Sequence, residues 1–120
     1  MQSIVDQRDN IIIFTLINQN VSGEVSAELK AKMLILAQPD IDALIIDITT
    51  VKTVDSSGIG AFLLANRQLR DYGIPVVLCG VNDFILSIMK MTRIDNQFIF
   101  FDTVEDALDD MTEEEFEDLI

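Results

Sequence analysis

An almost unbroken apolar run, Ala43-Leu44-Ile45-Ile46-Asp47-Ile48, precedes Val54-Asp55-Ser56-Ser57-Gly58-Ile59-Gly60, and a helical pattern then runs from Ile59 to Tyr72. A strand without polar alternation is covered on both faces, so the fold must supply packing layers above and below it. The junction also puts a small hydroxyl residue at the start of a helix, just past a buried strand. Helix N-termini carry unpaired N–H groups and partial positive charge, and they accommodate anions. On this reading alone Ser56 or Ser57 can be a helix cap, a nucleophile or a phosphorylation site.

The flanking sequence repeats the same alternation. Ile4–Val5 and Ile11–Leu16 read as strands, and Asp9-Asn10 between them suits a hairpin because both tolerate left-handed backbone. Ser22-Gly23 opens a helix whose Val25, Leu29, Met33 and Leu36 share one face, and Pro39 ends it. The next helix turns Ile59, Phe62, Leu63 and Leu69 to the core. Gly73 stops it, and Ile74-Pro75 leads into a strand through Cys79. Asn82 or Asp83 caps a helix carrying Phe84, Ile85, Ile88 and Met91, whose methionines read as core filler. Gln97 to Phe101 is the last strand. Gly60 is expected to allow close packing of its helix on the sheet.

Thr103-Val104-Glu105-Asp106 resembles a capping box for a helix using Val104, Ala107, Leu108 and Met111. Thr112-Glu113-Glu114-Glu115 repeats the signature and predicts a short final helix packing Phe116, Leu119 and Ile120. The order predicts an α/β domain over residues 1–111, with a mostly parallel sheet, an antiparallel N-terminal strand and about four flanking helices. Residues 112–120 are expected to form an acidic C-terminal helix or tail.

The chain has 120 residues, 49% of them apolar, which suits one domain with a real core. Its net charge is −13, unevenly spread: Asp102 to Ile120 holds ten acidic residues and no basic one, leaving −3 on the rest. Nucleic acids and anionic membranes need positive patches, so neither is an expected partner. No apolar run approaches the length of a membrane span. Met1-Gln2-Ser3-Ile4-Val5-Asp6 shows no signal pattern, and the single Cys79 lies in the apolar run Val76 to Cys79 as a small core residue. A cytoplasmic protein, monomeric when free, is expected.

Histidine is absent, which removes the usual general base, triad member and metal ligand. The chain has no G-x-S-x-G, no Walker A loop and no Cys/His cluster. Asp47 and Asp55 are the one carboxylate pair to consider, and isolated aspartates are weak grounds for an enzyme. No catalytic residue, cofactor or metal is expected.

Asp47-Ile48-Thr49-Thr50-Val51-Lys52-Thr53-Val54-Asp55-Ser56-Ser57-Gly58-Ile59-Gly60 closely resembles the centre of the STAS domain family, and within it the bacterial anti-sigma-factor antagonists. The family's pattern is an apolar strand ending in Asp, a short linker, Asp-Ser-Ser/Thr-Gly-Leu/Ile-Gly, and an amphipathic helix. Gly73 to Val81, Ile85 to Ile94 and Phe101 to Leu108 resemble its later elements. The family often has Gly-Glu-Leu-Asp after its second strand, where this chain reads Asn18-Gln19-Asn20-Val21-Ser22.

The resemblance implies that Ser56 is phosphorylated by a serine kinase with a histidine-kinase-like ATP fold. It implies that a metal-dependent serine phosphatase reverses the modification. It implies partner binding through Asp55, Ser56, Ser57, Gly58 and Ile59. The unmodified protein would hold an anti-sigma factor or kinase, and phosphorylation would release it. On Ser57 a supporting role by capping is the leading reading. Asp55 either positions the Ser56 hydroxyl or only bonds nearby backbone. The alternative function is a non-switching STAS docking subunit of a transporter ATPase or signalling scaffold, which has no need of a modifiable hydroxyl.

Overall fold

The apolar run forms β4 (Ala43–Asp47), the middle strand of a five-stranded sheet. A computed structural model describes the backbone of residues 1–118 and the side chains of residues 1–111. Strands β2 (Ile11–Leu16) and β6 (Val76–Cys79) flank β4 in parallel, and β7 (Ile99–Phe101) adds to β6 in parallel. At the other edge β1 (Ser3–Arg8) runs antiparallel to β2. The sheet is therefore mixed, with one antiparallel pair, as expected. Arg8 pairs with Ile11, so the hairpin turn is Asp9-Asn10, and Asp9 takes the left-handed φ of 53° that Asp tolerates.

The strand order advances in one direction from β2 to β7. Right-handed crossovers then place the connecting helices on one face. That face packs α1 (Glu24–Leu36), α2 (Ser56–Arg70) and α3 (Asp83–Met91) against Phe14, Leu16, Leu44, Ile46, Val76 and Leu78. The opposite face carries Ile13, Ile45, Val77 and Cys79, and among the described residues α4 (Val104–Asp118) covers it through Ala107, Val104, Leu108 and Met111. Adjacent β4 residues thus serve two cores, which is why the run lacks alternation.

Several local expectations change. The strand expected from Gln97 starts at Ile99, because Asp95–Gln97 forms a single 3-10 turn instead. In α3 the buried pair is Ile85 and Met89, whereas Phe84 and Met91 are exposed, Met91 at 82%. Of these methionines only Met89 fills core; both stripes have helical spacing, and packing rather than spacing selects one. The helix expected to restart at Thr112 does not: α4 is continuous to Asp118, since Met111-Thr112-Glu113 contains no Gly or Pro to interrupt it. At its start the Asp106 N–H donates to Thr103 Oγ1 at 3.1 Å, the expected cap. The packing expected of Phe116, Leu119 and Ile120 lies outside the described residues. Two strands escaped notice: β3 (Asn20–Val21) and β5 (Thr53–Val54) form a separate parallel pair.

Ala107 is fully buried where α4 meets the sheet. Ala107→Leu should overpack that contact and cost about 1–3 kcal/mol. Urea denaturation should show a lower midpoint with an unchanged m-value.

Candidate functional site

Asp55 follows β5 directly, and the pairing of β5 with β3 fixes its position. The Asp55 N–H donates to the Val21 carbonyl at 2.9 Å, continuing the β3–β5 ladder by one bond. Upstream, the Lys52 N–H donates to Gln19 O at 2.7 Å, and Thr53 Oγ1 donates to Asn20 Oδ1 at 2.7 Å. Asn82 works in two directions. Its Oδ1 caps α3 by accepting from Ile85 N–H at 2.8 Å, and its Nδ2 donates to the carbonyls of Val51 and Lys52 at 3.2 and 3.0 Å. The loop before the Asp-Ser-Ser-Gly segment is therefore tied to β3 and to α3.

Asp55 is the N-cap of α2, with extended backbone. Its Oδ1 accepts from Gly58 N–H at 2.8 Å, from Ser57 Oγ at 2.9 Å and from Ser26 Oγ at 2.7 Å. Its Oδ2 accepts from Gly23 N–H at 3.2 Å. Gly23 and Ser26 belong to the start of α1, which has no side-chain cap of its own. One carboxylate thus closes the N-termini of two helices. The hydrogen bond from Ser26, followed by those from Gly58 and Ser57, holds Asp55 at about 2, below the ordinary 3.8; partial burial opposes them, and Gly23 adds a smaller lowering.

Of the two readings for Asp55, backbone and neighbour bonding holds; no hydrogen bond joins it to Ser56. Ser57, expected to cap the helix or support backbone, is not the cap: it is the second residue of α2, and its Oγ donates to the carboxylate of Asp55, which holds the cap position. Ser56, the first residue of α2, is exposed, and its hydroxyl has no hydrogen-bond partner among the described residues. Asp47 does not pair with Asp55. It accepts from Thr49 N–H at 3.0 Å and from Thr49 Oγ1, closing its own turn. Cys79 is fully buried, and burial, with the charges of Asp47 and Asp106, pushes its thiol up to about 12.

The two glycines exchange their expected roles. Gly58, expected at the partner surface, is buried: a Cβ there would lie 2.5 Å from Val54 Cγ2 and 3.1 Å from Val21 Cγ1. It is the residue that lets α2 close on the β3–β5 pair. Gly60, expected to pack on the sheet, has open space where a Cβ would stand. It opens instead on a groove of about 320 Å³ between α2 and α3, lined by Val54, Ile59, Leu63, Ile88 and Ile94, with Ser56 and Thr92 as its polar members. A larger cavity of about 560 Å³ lies between α3, β7 and α4, and no candidate site residue lines it.

Sequence reasoning passed over Ser26 and Val21. A serine in a first helical turn reads as surface, and Ser26 is 1% exposed. Its signal was weak but present, since an otherwise uncapped helix start needs an acceptor from elsewhere.

Gly58→Ala and Gly60→Ala should move stability in opposite directions. The first should destabilise by about 1–3 kcal/mol through overpacking, despite alanine's better helix propensity. The second should stabilise by about 0.5–1 kcal/mol, as glycine removal from an unobstructed helix does. Thermal denaturation of the two variants reads both signs.

A depressed carboxylate pKa also sets an acid limb. The contribution of Asp55 is fully present above its unfolded value near 3.8 and is lost as pH falls through about 2. Asp55→Asn should therefore destabilise less at pH 2 than at pH 7, measured by urea denaturation at both pH values.

The sequence profile of the STAS domain family matches residues 2–107, from the residue before β1 into the first turn of α4. Solved structures share the architecture at low identity. An anti-sigma-factor antagonist (STAS) domain protein from Planctomyces limnophilus superposes with a TM-score of 0.82 at 18% identity, covering 91% of this chain and 96% of its own. The phosphorylated form of the Bacillus cell fate determinant SpoIIAA gives 0.73 at 16%, covering 92% and 99%. A serine-to-glutamate variant of RsbS from Moorella thermoacetica gives 0.77 at 16%, covering 94% and 97%. With the profile spanning all five strands of the main sheet and the clasped Asp-Ser-Ser-Gly junction, the chain belongs to the STAS domain family.

Proposed function

We propose that this domain is a phosphorylation-controlled antagonist in a bacterial partner-switching pathway, with Ser56 as the switch. The observation that carries the reading is the contrast at the start of α2. Asp55 and Ser57 are consumed by the clasp, while Ser56 stands exposed and unpartnered beside an apolar groove. An unmodified Ser56 leaves the groove approachable. The partner is an anti-sigma factor or serine kinase with a histidine-kinase-like ATP fold, docking over Ser56, Ser57 and the groove that Ile59 lines, while Asp55 and Gly58 hold the frame. A metal-dependent serine phosphatase resets the switch. The domain works by binding, not by catalysis.

The physics supports this assignment. A phosphate adds about −1.5 to −2 charges and three acceptor oxygens. The α2 N-terminus offsets that charge within the domain by about 0.3–1 kcal/mol in an exposed setting. The fold therefore survives modification, as the phosphorylated form of SpoIIAA shares it. A partner seated over the groove has no such compensation, because it would bury an unpaired dianion. The names of the structural neighbours point the same way: SpoIIAA is an anti-sigma factor antagonist solved in unphosphorylated and phosphorylated forms.

Among the described residues, no helix is long and apolar enough to cross a membrane. The acidic residues from Asp102 onward suit a basic or neutral partner surface.

Incubation with the cognate kinase and Mg-ATP should add one phosphate, mapped to Ser56 by mass spectrometry, and Ser56→Ala should abolish it. Ser56→Ala should keep partner affinity, and Ser56→Asp should fold normally yet bind at least about tenfold more weakly, or about 1.4 kcal/mol. Undiminished binding by the Asp variant would rule out charge exclusion.

A further inference from the structure

We infer that Asp55 decides which of the two adjacent serines can carry the phosphate, admitting it on Ser56 and rejecting it on Ser57. The inference rests on the phosphorylation reading above and adds the residue that confers its specificity.

Ser56 and Ser57 both lie in the first turn of α2, and the favourable field of a helix terminus extends over that whole turn. The helix dipole therefore cannot choose between them. Both are exposed, so access does not choose either. The difference lies in the clasp. Ser57 Oγ donates its proton to Asp55 Oδ1 at 2.9 Å, and Ser56 makes no such bond.

Transfer to either serine has the same balance. The serine oxygen bonds to the γ-phosphorus of ATP, the bond from that phosphorus to ADP breaks, and the hydroxyl proton passes to a base on the kinase. At Ser57 the transfer removes the donated proton and sets a dianion beside a carboxylate. Like charges within about 4 Å repel several times more strongly than a helix terminus attracts. Asp55 does not assist the attack by taking the proton itself, because a carboxylate held at about 2 is a weak proton acceptor at neutral pH. Turning the Ser57 phosphate out to solvent relieves the repulsion but still forfeits the hydrogen bond.

The loss reaches α1. Asp55 gathers Ser57, Gly58, Ser26 and Gly23, so a displaced carboxylate also releases the Gly23 N–H, 32 residues away in sequence. The Ser56 hydroxyl takes part in none of these bonds, so a phosphate there removes none of their donors.

The test installs phosphoserine co-translationally at Ser56 or at Ser57 in the whole chain, with no kinase present. With phosphate at Ser56 the melting temperature should stay within about 2 °C of the unmodified protein, and at Ser57 it should fall by about 5 °C or more. Amide hydrogen exchange at Gly23 should accelerate roughly tenfold for the Ser57 form only. In the Asp55→Asn background, which retains a capping oxygen, the gap between the two phosphorylated forms should shrink by half or more. Equal melting temperatures, a Gly23 amide indifferent to the Ser57 phosphate, or a gap unchanged by Asp55→Asn would each overturn the inference. If Asp55→Asn fails to fold, the Gly23 exchange decides by itself. Failure of the switch itself would show elsewhere, as absence of phosphate after the kinase incubation.

Discussion

The Asp55 carboxylate is the contact on which the rest of the site depends. It caps α2 through Gly58, and it satisfies the start of α1 through Gly23 and Ser26. Two helices that follow different strands are thereby fixed at one point. Burial alone does not fix that geometry, because hydrophobic contact is non-directional and lets helices slide. Hydrogen bonds to one ionised group specify direction and register, and bonds to charged acceptors are stronger than neutral ones. Nothing larger than glycine fits at position 58 without moving Val54, so packing and capping enforce the same close approach.

That arrangement separates bonded from unbonded side chains within one short segment. Asp55, Ser57 and Gly58 spend their polar and steric capacity inside the domain. Ser56 spends none, which leaves its hydroxyl available without loosening any bond. A switch residue that also held the fold would couple modification to unfolding. Here the Ser56 oxygen is adjacent to the frame and outside it. Asn82 extends the frame by holding the loop carbonyls of Val51 and Lys52 while capping α3, so both walls of the apolar groove are set from the same loop.

Much of the fold was legible because its signals are long. The unalternating run Ala43 to Ile48 required two covering layers, and α1–α3 on one face and α4 on the other supply them. Short or tertiary signals were not legible. β3 and β5 have two residues each, too few for any period. Ser26 looks like a surface residue until α2 is placed beside it. Gly58 and Gly60 are two residues apart in one helix, and only the position of Val21 and Val54 reveals which of them is crowded. In α3, Phe84 and Met91 share helical spacing as plausibly as Ile85 and Met89 do, and the sheet decides which pair is covered. The serine pair was legible as a motif, but the division of labour within it required the carboxylate's hydrogen bonds.

The placement of charge completes the argument. Glu105, Asp106, Asp109 and Asp110 are exposed on α4, which lies across the sheet from α2 and the Ser56 groove. Two packing layers of on the order of 10 Å each then stand between the acidic helix and Ser56. At physiological ionic strength the screening length is about 8 Å, so these charges act on Ser56 only weakly. A phosphate on Ser56, as proposed above, would thus stand apart from the acidic cluster of α4. On the proposed reading it would add negative charge to a face whose helices carry fixed charges of both signs, among them Lys30, Lys32, Arg67, Arg70 and Lys90. The Ser56 groove and the acidic helix sit on opposite faces of one sheet, and the sheet's two-sided burial, written in residues 43–48, keeps them apart.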